Sequence, residues 1–206
     1  VSVGTGMDGR WNSFLRVELN QDAIRVGDEL LRRFRPRLNV TAVPGRVLNS
    51  VAIDSYFGDE IDFANGREAS GVTLAGSFSL RPNERLELRG NVNLRWLDVD
   101  GENGNSGRLF TAQVERLRAT YSFNSRSFLR LIGQYTETKR DPSLYTFEVG
   151  PKTAGFSASG LFAYKLNWKT VAYLGYGDDR AYYPGTEELK PASRQVFTKV
   201  SYAWQR

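Results

Sequence analysis

Residues Arg85–Trp96 read RLELRGNVNLRW, and apolar and polar side chains alternate along them. The two alternating sets are Leu86, Leu88, Gly90, Val92, Leu94 and Trp96, and Glu87, Arg89, Asn91, Asn93 and Arg95. A period of two over more than ten residues indicates a β-strand, because a helix cannot segregate such a pattern. About 9 to 11 residues suffice for a tilted strand to cross a bilayer. The segment therefore predicts one strand of a transmembrane β-barrel.

The same alternation recurs along the chain and predicts ten strands in an all-β, antiparallel transmembrane barrel, either whole or part of a larger one. The predicted strands are residues 11–19, 34–43, 47–57, 71–80, 85–96, 108–123, 128–136, 156–166, 170–177 and 194–204.

Predicted connections alternate in length. Short turns fall near residues 44, 82, 125 and 168, and long loops fall at 20–33, 58–70, 98–107, 137–153 and 178–192. Short turns at one end and long loops at the other are typical of outer-membrane barrels, so the bacterial outer membrane is the expected location.

Composition is compatible with this interpretation. The 206 residues include 40% hydrophobic and 25% charged side chains, enough for one domain spanning residues 1–206. Mean hydropathy is −0.45, so a membrane-embedded form would need a closed barrel to satisfy its backbone hydrogen bonds. A soluble ligand-binding β-barrel with its apolar face turned inward would show the same alternation and remains an alternative.

The chain contains no cysteine and no histidine. These absences exclude disulfides, thiolate metal sites and a Ser-His-Asp hydrolase site within this sequence. We therefore expect a non-enzymatic protein without a metal or cofactor. The net charge of +5 is too small to indicate nucleic-acid binding. Two acidic pairs, Asp59 with Glu60 and Asp178 with Asp179, could serve glycoside chemistry, but paired acids in solvated loops are common.

The polar faces of the predicted strands are mostly basic, and we expect them to line the lumen. The basic residues are Arg16, Arg35, Arg37, Arg89, Arg95, Arg118, Arg130, Lys165 and Lys199. They suggest either a lumen that favours small anions or a ladder of cross-strand ion pairs that fills a small barrel. Such ladders are common, so the second interpretation is preferred.

Aromatic residues concentrate near the predicted strand ends, as they do where lipid meets water. The two predicted girdles comprise Phe78, Phe123, Trp168, Tyr202 and Trp204 at the short-turn end, and Phe57, Trp96, Tyr135 and Phe156 at the long-loop end. Between residues 108 and 123 the apolar phase slips by one residue, which predicts a β-bulge near Glu115.

The C-terminal half resembles a bacterial family that ends in a domain of unknown function, number 5916. The resemblance lies in GRLFTAQVERLRATYSF, FLRLIGQY, RDPSLYTF, LFAYKLNWKTVAYLGYGDD and SRQVFTKVSYAWQR. It implies a large outer-membrane barrel, often with an N-terminal carbohydrate-binding module similar to family 9. It also implies a pore or anchor linked to glycan binding or uptake, with the remainder of a longer chain or other envelope proteins as partners. The catalytic domain of a glycan-acting enzyme would lie outside this sequence.

Overall fold

A computed structural model describes residues 1–100, 106–185 and 188–204, and these form one eleven-stranded antiparallel sheet. The strands are β1 Ser2–Gly9, β2 Ser13–Val26, β3 Glu29–Ala42, β4 Leu48–Asp62, β5 Arg67–Leu80, β6 Leu86–Val99, β7 Gly107–Ser122, β8 Ser127–Arg140, β9 Lys152–Lys165, β10 Thr170–Tyr182 and β11 Leu189–Tyr202. Each strand pairs with the next one in the sequence, so the sheet is a continuous meander. The all-β, antiparallel fold predicted from the alternation is confirmed.

The sheet has one strand more than predicted, and most of its strands are longer than predicted. The segment predicted as the loop 20–33 instead forms the ends of β2 and β3, joined at Gly27, whose φ is 61°. Charged residues continue the ladder here, because Arg33 donates to Asp22 across the two strands at 2.5 Å. The additional strand β1 occupies residues that looked like a frayed end.

Other predicted loops shrink in the same way. The connections replacing 58–70 and 178–192 are residues 63–66 and 183–188, whereas the connection at 141–151 stays long. Most of the predicted loop 98–107 lies outside the described residues. The connections at the opposite end of the sheet, named here the short-turn rim, are residues 10–12, 43–47, 81–85, 123–126 and 166–169.

The two faces of the sheet differ in polarity and in burial. Residues that pair directly across strands share a face, so Leu74 and Leu94 lie on one side and Thr73 and Arg95 on the other. Side chains on the apolar face are exposed, including Leu131 at 50% and Val200 at 69%. On the polar face, Glu18 and Arg33 are buried, at 9% and 6% exposed. This burial is the reverse of the pattern in a soluble sheet.

The bulge predicted near Glu115 is wrong. Pairing runs without a break through Glu115 on both sides, to Val92 of β6 and to Tyr135 of β8. The register shift between β6 and β7 occurs at Leu97 and Asp98 instead. Because the phase does not change, Glu115 stays on the apolar face and its neighbour Arg116 joins the polar face.

One connection folds back over the polar face. Within residues 141–151, Pro142–Leu144 form a 3₁₀ turn, and Leu144 packs on Leu97, Val99 and Leu109. The segment then reaches the β4–β5 hairpin, where Asn65 Oδ1 accepts hydrogen bonds from the Thr146 amide and hydroxyl at 3.1 and 2.7 Å. Arg67 also donates to the carbonyl of Leu144. This small apolar core therefore joins the β8–β9 connection to a distant hairpin.

The sheet bends rather than lying flat. Cα atoms of β4 and β6 approach within 8 Å of each other across β5, less than twice the strand spacing of about 4.8 Å. In the described part of the chain, β1 and β11 each pair on one side only. Among the same residues, no helix is long and apolar enough to span a membrane.

Three turns of the short-turn rim share one hydrogen-bonding pattern. Asn83, Asn124 and Asn167 each accept, through Oδ1, from the backbone amides two and three residues later, at 2.8 to 3.0 Å. An asparagine side chain that satisfies two turn amides fixes the turn geometry and so the hairpin register. The spacing is Asn-x-Arg/Lys in all three turns.

Replacing Asn124 by alanine should lower the free energy of unfolding by about 1 to 2 kcal/mol, because two backbone amides lose their acceptor. Denaturant unfolding of the refolded chain in detergent would measure the change. Ser125→Ala, in the same exposed turn, serves as the control and should lie within about 0.5 kcal/mol of wild type. Equal stability of Asn124→Ala and wild type would contradict the assigned role.

Candidate functional site

The nine basic residues predicted for the lumen share the polar face of the sheet. The pairing shows this directly, since Arg16 lies opposite Asn39, Arg89 opposite Arg118, and Lys199 opposite Tyr173. The register places the other predicted residues on the same face: Arg35, Arg37, Arg95, Arg130 and Lys165. Whether this face encloses a lumen remains a prediction.

On β2, β3 and β4 the arginines are matched by carboxylates. Arg37 binds Asp54 through two hydrogen bonds of 2.8 and 2.7 Å and also contacts Glu18 at 3.2 Å. Bidentate arginine–carboxylate pairs of this kind are the stronger ion pairs in proteins. The whole cluster contains four arginines and four carboxylates, namely Arg16, Arg33, Arg35, Arg37, Glu18, Asp22, Asp54 and Glu60. This cluster is therefore neutral.

The ring of Tyr56 contacts two arginines of this cluster. The guanidinium carbons of Arg37 and Arg35 lie 5.0 and 5.8 Å from the centre of its ring, within cation–π range. Two carboxylates of the cluster are largely buried, since the side chains of Glu18 and Glu60 are each 11% exposed. The Nε atom of Arg35 is buried without a hydrogen-bond partner in the described structure. The ion pairs across β2, β3 and β4 nevertheless fit the predicted ladder of cross-strand ion pairs.

The other half, on β6, β7 and β8, carries a cationic surplus. Arg89 and Arg118 face each other directly, an arrangement of like charges that costs free energy. Among the described residues, Glu87 supplies the carboxylate for this area, and it contacts Arg89 at 2.8 Å and Arg81 at 3.0 Å. On the polar face of β6 to β8, the cations with no ion pair within the described residues are Arg95, Arg116, Arg118, Arg130 and Arg140. Anions can lower the free energy of such a cluster by neutralising it.

Two of these cations rest on aromatic rings. Arg130 lies 5.3 Å from the ring centre of Phe128, and Arg95 lies 5.7 Å from that of Phe110. The Nε atom of Arg130 is buried without a hydrogen-bond partner in the structure. A buried donor of this type gains from an acceptor brought by a solute or by water.

A polar recess of about 270 Å³ adjoins Arg116 on the same face. Asp179 borders it and accepts hydrogen bonds from the hydroxyls of Ser157 and Ser193 at 2.6 and 2.8 Å. Its remaining polar lining is Gln134, Ser159 and Gln195. Amides, hydroxyls, one guanidinium and one carboxylate form a surface that can hydrogen-bond small hydrated or hydroxylated solutes.

Two arginines of the polar face, Arg33 and Arg116, were not predicted from the sequence. Arg33 was assigned to a loop because of its charged neighbours, although the alternation of Arg33, Arg35 and Arg37 was a usable signal. Arg116 was missed because a phase shift was assumed beside it. The unbroken register places Arg116 opposite Asn91 and Gln134, both on the polar face.

The predicted girdle residues lie on the apolar face or in the adjoining turns. Tyr135 and Phe156 pair directly, and Phe78 lies over Gly90, where a Cβ atom would meet its ring at 2.1 Å. The other predicted girdle residues are Phe57, Trp96, Phe123, Trp168, Tyr202 and Trp204, four of which fall in or next to the short-turn rim. Membrane contact by these rings remains a prediction.

The apolar face also holds a polar row on β7. Thr111, Gln113 and Glu115 lie opposite Trp96, Leu94 and Val92. Glu115 borders an apolar groove of about 630 Å³ whose floor includes Gly76, Gly90 and Gly133. Because a bulge was predicted near Glu115, the position of this carboxylate among apolar side chains was not predicted from the sequence.

The two acidic pairs do not form paired-carboxylate sites. Asp178 and Asp179 are consecutive in β10 and so point to opposite faces. Asp178 is held by Arg180 and Arg194 at 2.9 and 2.7 Å, while Asp179 faces the recess. Asp59 and Glu60 are likewise consecutive in β4. In the described ranges, no group of three or more His, Cys, Asp or Glu residues could hold a metal ion.

No family model matches the chain, and no curated protein matches it. A solved structure titled "NanC porin structure in rhombohedral crystal form" aligns with 98% of this chain and 92% of that chain. The TM-score is 0.43 and the sequence identity 13%. A likeness this distant carries no argument, so the functional conclusions below rest on the residues themselves.

Replacing Arg37 by alanine should cost about 2 kcal/mol or more of unfolding free energy, because Asp54 and Glu18 lose a charged partner. Arg116→Ala is the matched control, since it removes an exposed arginine of the same face without breaking an ion pair in the described structure, and its effect should stay within about 0.5 kcal/mol. Chemical denaturation in detergent would compare them. Equal losses in the two variants would contradict the division into a paired and an unpaired half.

Proposed function

We propose that this chain is an integral β-barrel of the bacterial outer membrane, or part of a larger one, that serves as a pore or membrane anchor. The observation that carries the proposal is the reversed burial of the sheet, with exposed leucine and valine on one face and buried arginine and glutamate on the other. Large contiguous apolar surfaces are rare on soluble monomers. In lipid, the exposed face would be solvated by acyl chains.

Strand dimensions support the same proposal. Strands β2 to β11 are 13 to 16 residues long, more than the 9 to 11 that a tilted crossing needs. A membrane barrel must leave no open edge within the hydrocarbon region. The proposal therefore requires β1 and β11 to pair with each other or with further strands.

The charge of the polar face supports a pore with a preference for anions. The neutral cluster on β2 to β4 would act as a structural wall. The surplus arginines on β6 to β8 would set the selectivity, since rings of charged side chains tune permeation. The recess between Arg116 and Asp179 suits a small neutral hydroxylated solute, and the resemblance described above suggests a glycan. Isothermal titration with neutral and acidic oligosaccharides would test the glycan part separately.

A soluble ligand-binding barrel is the second candidate. The polar row on β7 favours it, because Glu115 on a lipid-facing surface costs free energy. Detergent phase partitioning distinguishes the two candidates: a membrane barrel enters the detergent phase, whereas a soluble protein stays in the aqueous phase.

In planar bilayers, the refolded chain should conduct with anions more permeant than cations. The double variant Arg116→Glu, Arg118→Glu should reverse or abolish that preference, because it exchanges two unpaired cations for carboxylates on one wall. Arg25→Glu, Arg32→Glu is the control, with the same charge change on two exposed residues outside the polar face. Reversal potentials under a salt gradient give the measurement. Absence of conductance would favour a membrane anchor over a pore. Cation selectivity of the wild-type protein would contradict the proposed anion-favouring lumen.

Replacing Glu115 by leucine should stabilise the protein in lipid vesicles by about 1 kcal/mol, because the carboxylate leaves a lipid-facing position midway along β7. Denaturant titration in phosphatidylcholine vesicles would measure it. Glu84→Leu, in an exposed turn, should have little effect. Destabilisation by Glu115→Leu would argue that water, and not lipid, covers this face.

A further inference from the structure

Charge is distributed unequally between the two ends of the sheet. The connections of the short-turn rim contain six cations and one carboxylate, namely Arg10, Arg46, Arg81, Arg85, Arg126, Lys169 and Glu84. The connections at the opposite end contain seven carboxylates and neither lysine nor arginine in their sequence, at Asp28, Asp100, Glu102, Asp141, Glu148, Glu187 and Glu188. One end of the strands is therefore basic and the other acidic.

The cations of the short-turn rim are available for an external partner. Five of the six are exposed, and Lys169 is half-buried. Arg81 contacts Glu87 at 3.0 Å, and the other five make no ion pair within the described residues. Structural ion pairing therefore does not explain why the basic residues collect there, in contrast to the arginines of β2 to β4.

Local structure holds several of these cations at the tips of the turns. In three turns, the asparagine side chain binds the amide of the basic residue itself, at Arg85, Arg126 and Lys169. Each cation follows its asparagine by two residues and is thereby placed at the same point of a rigid hairpin end. Successive short turns are two strands apart, about 10 Å, so the charges are spaced along the rim.

Aromatic rings accompany the cations. Three of the four tryptophans, Trp11, Trp168 and Trp204, lie at this end of the strands. The ammonium of Lys169 lies 4.4 Å from the ring centre of Trp168. Tryptophan prefers the boundary between hydrocarbon and headgroups, and lysine and arginine just beyond it attract anionic lipids.

We propose that the short-turn rim binds the phosphate-bearing headgroups of anionic phospholipids in the leaflet that surrounds it. This inference rests on the membrane location proposed above, but not on pore activity. The headgroups supply the negative charge that the rim lacks, while the tryptophan rings fix the depth of the strands. The acidic opposite end would not bind such lipids, so the charge difference also favours one orientation across a bilayer whose leaflets differ in charge.

The rim tryptophans provide the measurement. The full chain, carrying Trp96→Phe so that the remaining tryptophans lie at the rim, is reconstituted into phosphatidylcholine vesicles containing either brominated phosphatidylglycerol or brominated phosphatidylcholine. At equal amounts of brominated lipid, phosphatidylglycerol should quench the fluorescence more strongly at low salt. The difference should vanish at about 1 M salt, where the Debye length falls to about 3 Å.

A pair of triple variants assigns the effect to the rim. Arg46→Gln, Arg85→Gln, Arg126→Gln should lose the preference for phosphatidylglycerol, by up to about fivefold in relative lipid affinity for each cation removed. Arg25→Gln, Arg32→Gln, Lys190→Gln removes the same charge from exposed residues nearer the other end and should retain the preference. Circular dichroism confirms that both variants keep their strands.

The outcomes separate the two proposals. Equal quenching by the two lipids in the parent protein, or equal loss in both triple variants, would overturn the headgroup site while leaving the membrane location intact. Absence of quenching by either lipid would overturn the membrane location itself, and the headgroup site with it. Loss of the preference only in the rim variant supports the site.

Discussion

Register between neighbouring strands is the constraint on which the rest of this structure depends. Side chains alternate between faces, so a shift of one residue would exchange every apolar side chain of a strand for a polar one. Each strand pairs with the next from β1 to β11, with local shifts near Leu48, Leu97 and Asp179 and with β3 paired to β4 along Arg37–Ala42. The separation of an exposed apolar face from a charged face follows from that continuity. Asparagine-capped turns and bidentate ion pairs both act to keep the register in place.

The sequence allowed the fold class, the two faces and all nine basic positions on the polar face to be predicted, because period-two alternation is a local signal. Segments such as 20–33 were misassigned because each face of their strands mixes apolar and charged residues, such as Ile24 with Leu31 on one face and Arg25 with Leu30 on the other, which removes the alternation. Their pairing depends on partners such as Asp22 and Arg33, eleven residues apart in the sequence. The continuous register through Glu115 also could not be predicted from the local sequence pattern. A polar row on an apolar face and a bulge give the same sequence pattern, and only the cross-strand partners distinguish them.

The polar face combines two kinds of electrostatics. Where carboxylates match arginines, as around Arg37, the side chains hold one another and the wall is rigid. Where arginines exceed carboxylates, as around Arg118, charge repulsion remains and solutes can relieve it. The number of ion-pair partners separates the two halves, since Arg37 contacts Asp54 and Glu18 whereas Arg118 makes no ion pair within the described residues. Paired and unpaired arginines therefore lie mainly on different strands of one sheet.

The contact between Asn65 and Thr146 has a kinetic consequence. These residues are 81 positions apart, whereas the hairpins of the sheet form between adjacent strands. Bringing such distant segments together carries a larger entropic cost than closing a hairpin, so the contact should form after β5 to β8 have assembled. The small core around Leu144 would then act as the last step of assembly at that end, locking a meander that had grown strand by strand.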